Sequence, residues 1–253
     1  MNNALSTFRL IDTHCHLDLL RDTQGVVDEI NRERVCTIAV TNAPFLFAHT
    51  QKLCEQSELL FPALGMHPEL VHSHGDQVEQ FYQLLPSTRF VGEIGLDYVT
   101  PDKANRERQR RVFQKILSWC SESGDKILTV HSRRSSPDVI AAIGSDFPGT
   151  VILHWYSGSL RDLRKGLDCG FYFSVNPAMV RSEQGIRLIR EVPRGRLLTE
   201  TDSPFVTIDR EPATPGAAKS VCEAIADIWS CSAEEVENTV RNTFVSVSRP
   251  DPR

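Results

Sequence analysis

Short runs of apolar and β-branched residues alternate along this chain with longer stretches in which apolar positions recur at helical spacing. A run of four to eight such residues suits a buried strand, and a period near 3.6 suits an amphipathic helix. Read this way, the sequence predicts strands at about Arg9–His14, Cys36–Thr41, Leu60–Met66, Phe90–Ile94, Ile127–His131, Thr150–His154, Phe171–Val175 and Arg196–Glu200. Helical patterns fall near 23–33, 44–57, 76–85, 104–122, 136–145, 159–168 and 182–191. A terminal helical region over about 216–247 reads as two helices broken near Ser230–Ser232.

Strands that alternate with helices pair in parallel, because parallel neighbours need a long crossover. Eight such units are the count of a TIM (β/α)8 barrel. An open doubly wound sheet gives the same alternation, and strand order is invisible in a sequence. The lack of a Gly-rich phosphate fingerprint after the first strand speaks against a dinucleotide-binding version. With no linker, repeat or low-complexity tract, residues 1–253 read as one domain, and Pro204–Pro215 reads as a loop near the barrel mouth.

Composition narrows the function classes. The formal net charge of −5 excludes a basic nucleic-acid-binding surface over the whole molecule, although bound divalent metals could supply positive charge locally. Seven scattered cysteines with no C-x-x-C read as reduced thiols in a cytosolic protein. No apolar run approaches the roughly 18 residues of a membrane span, and the first residues lack a signal-peptide pattern.

Candidate chemistry begins with DTHCHLD, which places His14 and His16 two residues apart at the end of the first strand. In a strand such residues share a face and can bind one ion. Alone the pair is a weak signal. The other candidates also follow apolar runs: His67 after the third strand, Glu93 at the fourth, His131 at the fifth, His154 at the sixth and Asp202 after the eighth. In a barrel these carboxyl ends converge on one mouth. Four imidazoles (His14, His16, His131, His154) with Glu93 and Asp202 suit Zn, Mn, Fe or Ni better than Ca, and Mg remains open. One carboxylate can bridge two divalent metal ions about 3.5–4 Å apart, and Glu93 is placed to do so. One ion would then take His14, His16 and Glu93, and the other Glu93, His131 and His154. Asp202 would ligate the first and orient or deprotonate the attacking water, which makes Asp202 and Glu93 the catalytic candidates.

The motifs DTHCHLD, GMHPE, GEIGLDY, HSRR, HWYSGS and ETDSPF, in this order from about Ile11 to Phe205, resemble those of TatD-family deoxyribonucleases. The resemblance implies a TIM barrel of the metal-dependent hydrolase superfamily. It also implies two-metal phosphodiester cleavage, usually as a 3′→5′ exonuclease on single-stranded DNA. It gives the six ligands the same roles and puts His67 and Arg133 near the substrate phosphate. Two departures stand out. Trp155-Tyr156 replaces the family's usual Cys-Phe pair, and Arg210-Glu211-Pro212 lacks an asparagine that the family commonly carries there. With HSRR and FSVNPAM, these departures are similar to the TatD-like nuclease of Qat antiphage defence systems, which implies a defence role and Qat-system partner proteins.

Other features allow two readings each. The RERQRR cluster (Arg106, Arg108, Arg110, Arg111) is either a solvated helix face or a nucleic-acid contact. Arg133 and Arg134 follow a ligand directly and are better placed to meet phosphate. Trp155 and Tyr156 either stack a base or pack the barrel rim. His72 and His74 read as exposed loop residues and His49 as helical. Two further functions compete with a nuclease: amidohydrolase-type hydrolysis of a small cyclic amide or ester, and a non-catalytic subunit of a defence complex. The fourth strand offers Glu93 and no lysine to carry a bridging carbamate, which favours phosphodiester chemistry, and every ligand expected of an active enzyme is present.

Overall fold

The structure is a computed structural model that describes residues 8–248. Eight parallel strands follow one another around the sheet in chain order: β1 (Leu10–Cys15), β2 (Val35–Val40), β3 (Leu60–Leu64), β4 (Phe90–Gly95), β5 (Ile127–His131), β6 (Thr150–Leu153), β7 (Tyr172–Val175) and β8 (Leu197–Thr199). Their borders lie within two residues of the sequence expectation, and β5 coincides with it. Every residue of β1, β2 and β4 is buried, as strands covered on both faces require.

Closure between β1 and β8 rests on side-chain hydrogen bonds and on an isolated parallel bridge between Cys15 and Ser203. Thr13 Oγ1 donates to the Thr199 carbonyl at 3.1 Å, and Thr199 Oγ1 donates to the Ile11 carbonyl at 2.6 Å. Just above, the Asp202 amide donates to His14 O and the His16 amide to Ser203 O, both at 2.8 Å. The consecutive order with this seam is a barrel, so the open-sheet alternative does not hold.

The helices are α1 (Thr23–Glu33), α2 (Phe47–Cys54), α3 (Val71–His74), α4 (Val78–Leu84), α5 (Lys103–Ser123), α6 (Ser136–Ile143), α7 (Leu160–Asp168), α8 (Glu183–Glu191), α9 (Ala218–Trp229) and α10 (Ala233–Ser248). The helix expected over 44–57 is split: Pro44 opens a 3-10 turn, and α2 ends at Cys54. His72 and His74 lie on the short α3 rather than in a loop. The stretch read as a Pro-rich loop contains a small antiparallel pair, β9 (Thr207–Ile208) and β10 (Glu211–Pro212). Asp209 and Arg210 make its two-residue turn, with φ of 52° and 73°.

RERQRR is largely a brace. Arg106 donates to the carbonyls of Thr100 (2.7 Å) and Tyr98 (2.8 Å), Arg106 and Arg110 lie over the Tyr98 ring, and Arg108 donates to His72 O at 2.9 Å. Arg110 and Arg111 pair with Glu107. The cluster ties α5 to α3 and to the loop after β4, so neither expected role describes it fully.

One close approach shapes the mouth. Beyond β2, Thr41 exchanges hydrogen bonds with the far side of β3: its amide donates to Gly92 O and its carbonyl accepts from Glu93 N, both at 3.0 Å. This needs glycine at 65, where a Cβ would fall 1.6 Å from Thr41 O and 2.5 Å from Glu93 N. The seven cysteines are free thiols, five of them buried. Among the described residues no helix is long and apolar enough to cross a membrane.

Candidate metal centre

The carboxyl ends of the strands bring the sequence candidates together. Glu93 sits within β4, His14 within β1 and His131 ends β5, while His16, His67, His154, Arg133 and Asp202 follow strand ends. They meet at a cavity of about 550 Å³ lined by His16, His67, Glu93, His131, His154 and Asp202, with Arg133 and Trp155 on its wall.

Glu93 is the centre of the cluster, and its two oxygens divide it. Oε1 faces His131 Nδ1 at 2.6 Å, His154 Nε2 at 2.8 Å and His67 Nε2 at 3.4 Å. Oε2 faces His16 Nε2 at 3.3 Å and His14 Nε2 at 3.5 Å. Asp202 Oδ1 stands 3.6 Å from both His14 Nε2 and His16 Nε2. Three sets of side chains are close enough to share an ion: His14, His16 and Glu93; His67, Glu93 and His131; His14, His154 and Glu200.

Neighbouring groups fix which nitrogen each ring presents. Thr129 Oγ1 lies 2.7 Å from His14 Nδ1 and can accept its proton, leaving His14 Nε2 as a lone pair aimed at the cluster. Asp97 Oδ2 lies 2.8 Å from His131 Nε2, which leaves Nδ1 for the cluster. The Glu69 amide donates to His67 Nδ1 at 3.2 Å, so the neutral His67 ring carries its proton on Nε2 and is the exception, a donor facing Glu93 Oε1. The convergent atoms are therefore mostly acceptors facing acceptors. His14 Nε2 and His16 Nε2 are 3.3 Å apart with carboxylate oxygens beside both. Such an arrangement is stable only around cations, either protons or metal ions. A borderline N/O donor set of this kind fits a divalent transition metal.

The electrostatics have the same origin. Burial works to raise the Glu93 pKa, but the imidazoles of His67, His154 and His14 and the hydrogen bond to His131 outweigh it and hold the carboxyl well below its usual range. Burial works to lower His16, but Asp202 and Glu93 outweigh it and push it up to about 9. His154 is raised against burial by Glu93 and Glu200. Asp12 is pushed up to about 8 by burial, although the Thr201 hydroxyl and the amides of His14 and Thr201 oppose this by donating to it.

Of the proposed substrate contacts, His67, Arg133 and Trp155 border the cavity and Tyr156 does not. Tyr156 is fully buried, edge-on to Phe173 at 5.3 Å, with its hydroxyl donating to Ser159 O at 2.8 Å. The cause is Trp155, whose φ of 36° turns the chain so that the next side chain enters the core. A stacking role for Tyr156 is thereby corrected to a packing role.

Sequence reasoning missed three supporting residues. Asp97 is the Asp of GEIGLDY and Glu200 the Glu of ETD, so both were in view but carried no separate signal. Glu200 is completely buried. It accepts from the Trp155 amide at 2.9 Å, from Asn176 Nδ2 at 3.1 Å and from the Ser174 hydroxyl, and lies 3.8 Å from His154 Nδ1. It therefore supports His154 and the turn at Trp155 together. Thr129, inside β5, gave no signal at all, since a Thr in a strand is ordinary.

Comparison with known proteins agrees with this geometry. The sequence matches the family described as TatD related DNase over residues 11–248. It is 27% identical to the human deoxyribonuclease TATDN3, with 93% of each chain covered. It is 28% identical to YjjV of Escherichia coli K12, described as an uncharacterized metal-dependent hydrolase, covering 96% of this chain and 99% of that one. The crystal structure of YjjV, a TatD homologue, superposes with a TM-score of 0.86 over 96% of this chain and 99% of its own, at 27% identity. A match across nearly the whole barrel, with an acceptor-rich cluster at its mouth, places this chain in the TatD-related DNase family of phosphodiester hydrolases.

Proposed function

We propose that the chain, acting as one domain, is a two-metal deoxyribonuclease that removes nucleotides from the 3′ end of single-stranded DNA. The observation that carries the two-ion reading is the division of Glu93, whose two oxygens face separate imidazole groups. His14 and His16 with Asp202 would hold one ion, His131 and His154 the other, and Glu93 would join both. His67, whose Nδ1 accepts from the Glu69 amide and whose Nε2 therefore carries the ring proton, is suited to donate to a phosphate oxygen beside Glu93. Divalent ions bound there supply Lewis acidity to a phosphoryl group and lower the pKa of water toward neutrality.

The chain's own residues do the rest. Asp202 would take a proton from the attacking water as the water oxygen bonds to phosphorus, while the P–O3′ bond breaks and the departing 3′-oxygen takes a proton from solvent. Asp97 and Thr129 hold the tautomers of His131 and His14. Arg133, on the cavity wall, pairs with the phosphate. We place this activity in the cytoplasm and within an antiphage defence system of the Qat type, on the sequence similarity of the Trp155-Tyr156 and HSRR segments.

The test is cleavage of end-labelled single-stranded and duplex DNA with Mg, Mn or Zn, beside Asp202→Asn. Metal-dependent shortening from the 3′ end, lowered about 100- to 10,000-fold in the variant as loss of a general base does, is expected. Equal cleavage by the variant, or none by the wild type with any metal, sinks the reading.

A further inference from the structure

Large exposed apolar side chains are few among the described residues, and their positions are not random. Of Leu19, Phe45, Tyr82, Val99 and Phe205, all but Tyr82 lie in segments that leave the carboxyl ends of strands. Leu19 follows β1, Phe45 follows β2 and Phe205 follows β8, so these three occupy neighbouring positions on the rim. Phe205 is 58% exposed and stands edge-on to His16 at 5.0 Å, so this apolar arc begins at the metal-ligand cluster itself.

A second arc is cationic. Arg133 and Arg134 follow β5, Arg161 opens α7 after β6, and Arg181 follows β7. All four are exposed, and none is in an ion pair among the described residues. Asp162, the acid beside Arg161, bonds Ser159 and Lys165 and makes no direct ion pair with Arg161. This arc also begins at the cluster, since Arg133 lies two residues beyond His131. The molecule is acidic overall, so exposed guanidiniums gathered in one sector of the mouth are a local feature, although Arg133 is near Asp97 and Arg161 near Asp162.

Resting on the phosphodiesterase reading above, we propose that the mouth is a two-part track for one nucleic-acid strand. The arginine arc over β5–β7 holds phosphates, and the apolar arc over β8–β2 stacks unpaired bases. A strand whose phosphate enters the cluster has its backbone on one side and its bases on the other. Guanidiniums suit the first and flat apolar side chains the second. Paired bases keep their faces inside the duplex and cannot reach Phe45 or Phe205. The track therefore selects unpaired ends through base faces, without reading sequence.

The test is equilibrium binding to the metal-loaded protein of a labelled, phosphorothioate-linked single-stranded oligonucleotide that resists cleavage, the same strand with abasic sites, and its duplex. Phe45→Ala and Phe205→Ala are expected to weaken the base-bearing strand about 5- to 100-fold, the range of a lost base–aromatic stack, and to leave the abasic strand alone. The double change Arg161→Gln/Arg181→Gln is expected to reduce the salt dependence of single-strand binding by about 1.4 in log–log slope, about 0.7 for each phosphate no longer neutralised. Equal losses on both strands, an unchanged slope, or equal binding of duplex overturns the track. So does a wild-type dimer in sedimentation that Phe45→Ala dissociates, because the apolar arc then covers a second copy. Binding of the expected pattern without metal-dependent cleavage would remove the nuclease reading and leave the track, and the reverse result would do the opposite.

Discussion

The two ends of the barrel both bury polar groups, and they treat them in opposite ways. At the amino-terminal floor donors meet acceptors. The Lys126 ammonium, buried at the foot of β5, donates to the carbonyls of Leu85 (2.9 Å) and Thr88 (2.7 Å). Arg9 forks onto Glu237 of α10, with Nε 2.7 Å from Oε2 and Nη2 2.9 Å from Oε1. Nothing further is needed there, and the polar groups serve to pin the floor. At the mouth, acceptors meet acceptors around Glu93 and cations are needed to hold them. Burial and titratable residues are common to both ends, so neither marks the functional one. What marks it is whether the donor–acceptor count closes.

Substitutions at each end put this contrast at risk, and the largest effect belongs to the mouth. Glu93→Gln replaces one carboxylate oxygen of the cluster with an amide donor. Nuclease turnover is expected to fall about 100- to 1,000-fold, the range seen when a transition-state electrostatic group is removed. Metal content measured by atomic emission should fall with it, and a variant that retains both removes Glu93 from the centre. Asp97→Asn, which acts only through His131, should weaken metal binding about 10- to 100-fold by titration calorimetry, as loss of a ligand's outer hydrogen bond does. At the floor, Lys126→Met leaves two carbonyls without their donor and should cost about 1–3 kcal/mol in urea unfolding while kcat is kept. The smallest change is expected from Arg9→Ala. Arg9 is 58% exposed, so its pair with Glu237 should contribute no more than about 0.2–1 kcal/mol in the same unfolding experiment. Loss of nuclease activity in either floor variant, at unchanged folding, would break the contrast.

Much of this was legible in the sequence, for a definite reason. Strands covered on both faces are largely apolar, so a histidine or carboxylate at the carboxyl end of such a run stands out. His131 closing β5 and His154 directly after β6 are of this kind. Asp97 was harder, because it lies two residues past β4, where polarity is ordinary. Glu200 was hidden by being adjacent to the ligand motif while pointing elsewhere, into Ser174, Asn176 and the Trp155 amide. The choice between stacking and packing for Tyr156 was not legible, because a positive φ at tryptophan has no sequence signature of the sort that glycine provides. The bracing role of the RERQRR arginines was not legible because their partners are backbone carbonyls and a ring from other segments, which composition does not reveal.

Gly65 bears no chemistry, yet a methyl group there would collide with Thr41 O and Glu93 N. The tolerance of this protein to sequence drift is therefore set partly by a residue that touches neither metal nor DNA. In a deep mutational scan selected on nuclease activity, position 65 should be as intolerant as the ligand positions. A search for inactive relatives that looks only at ligands would overlook chains disabled at that glycine.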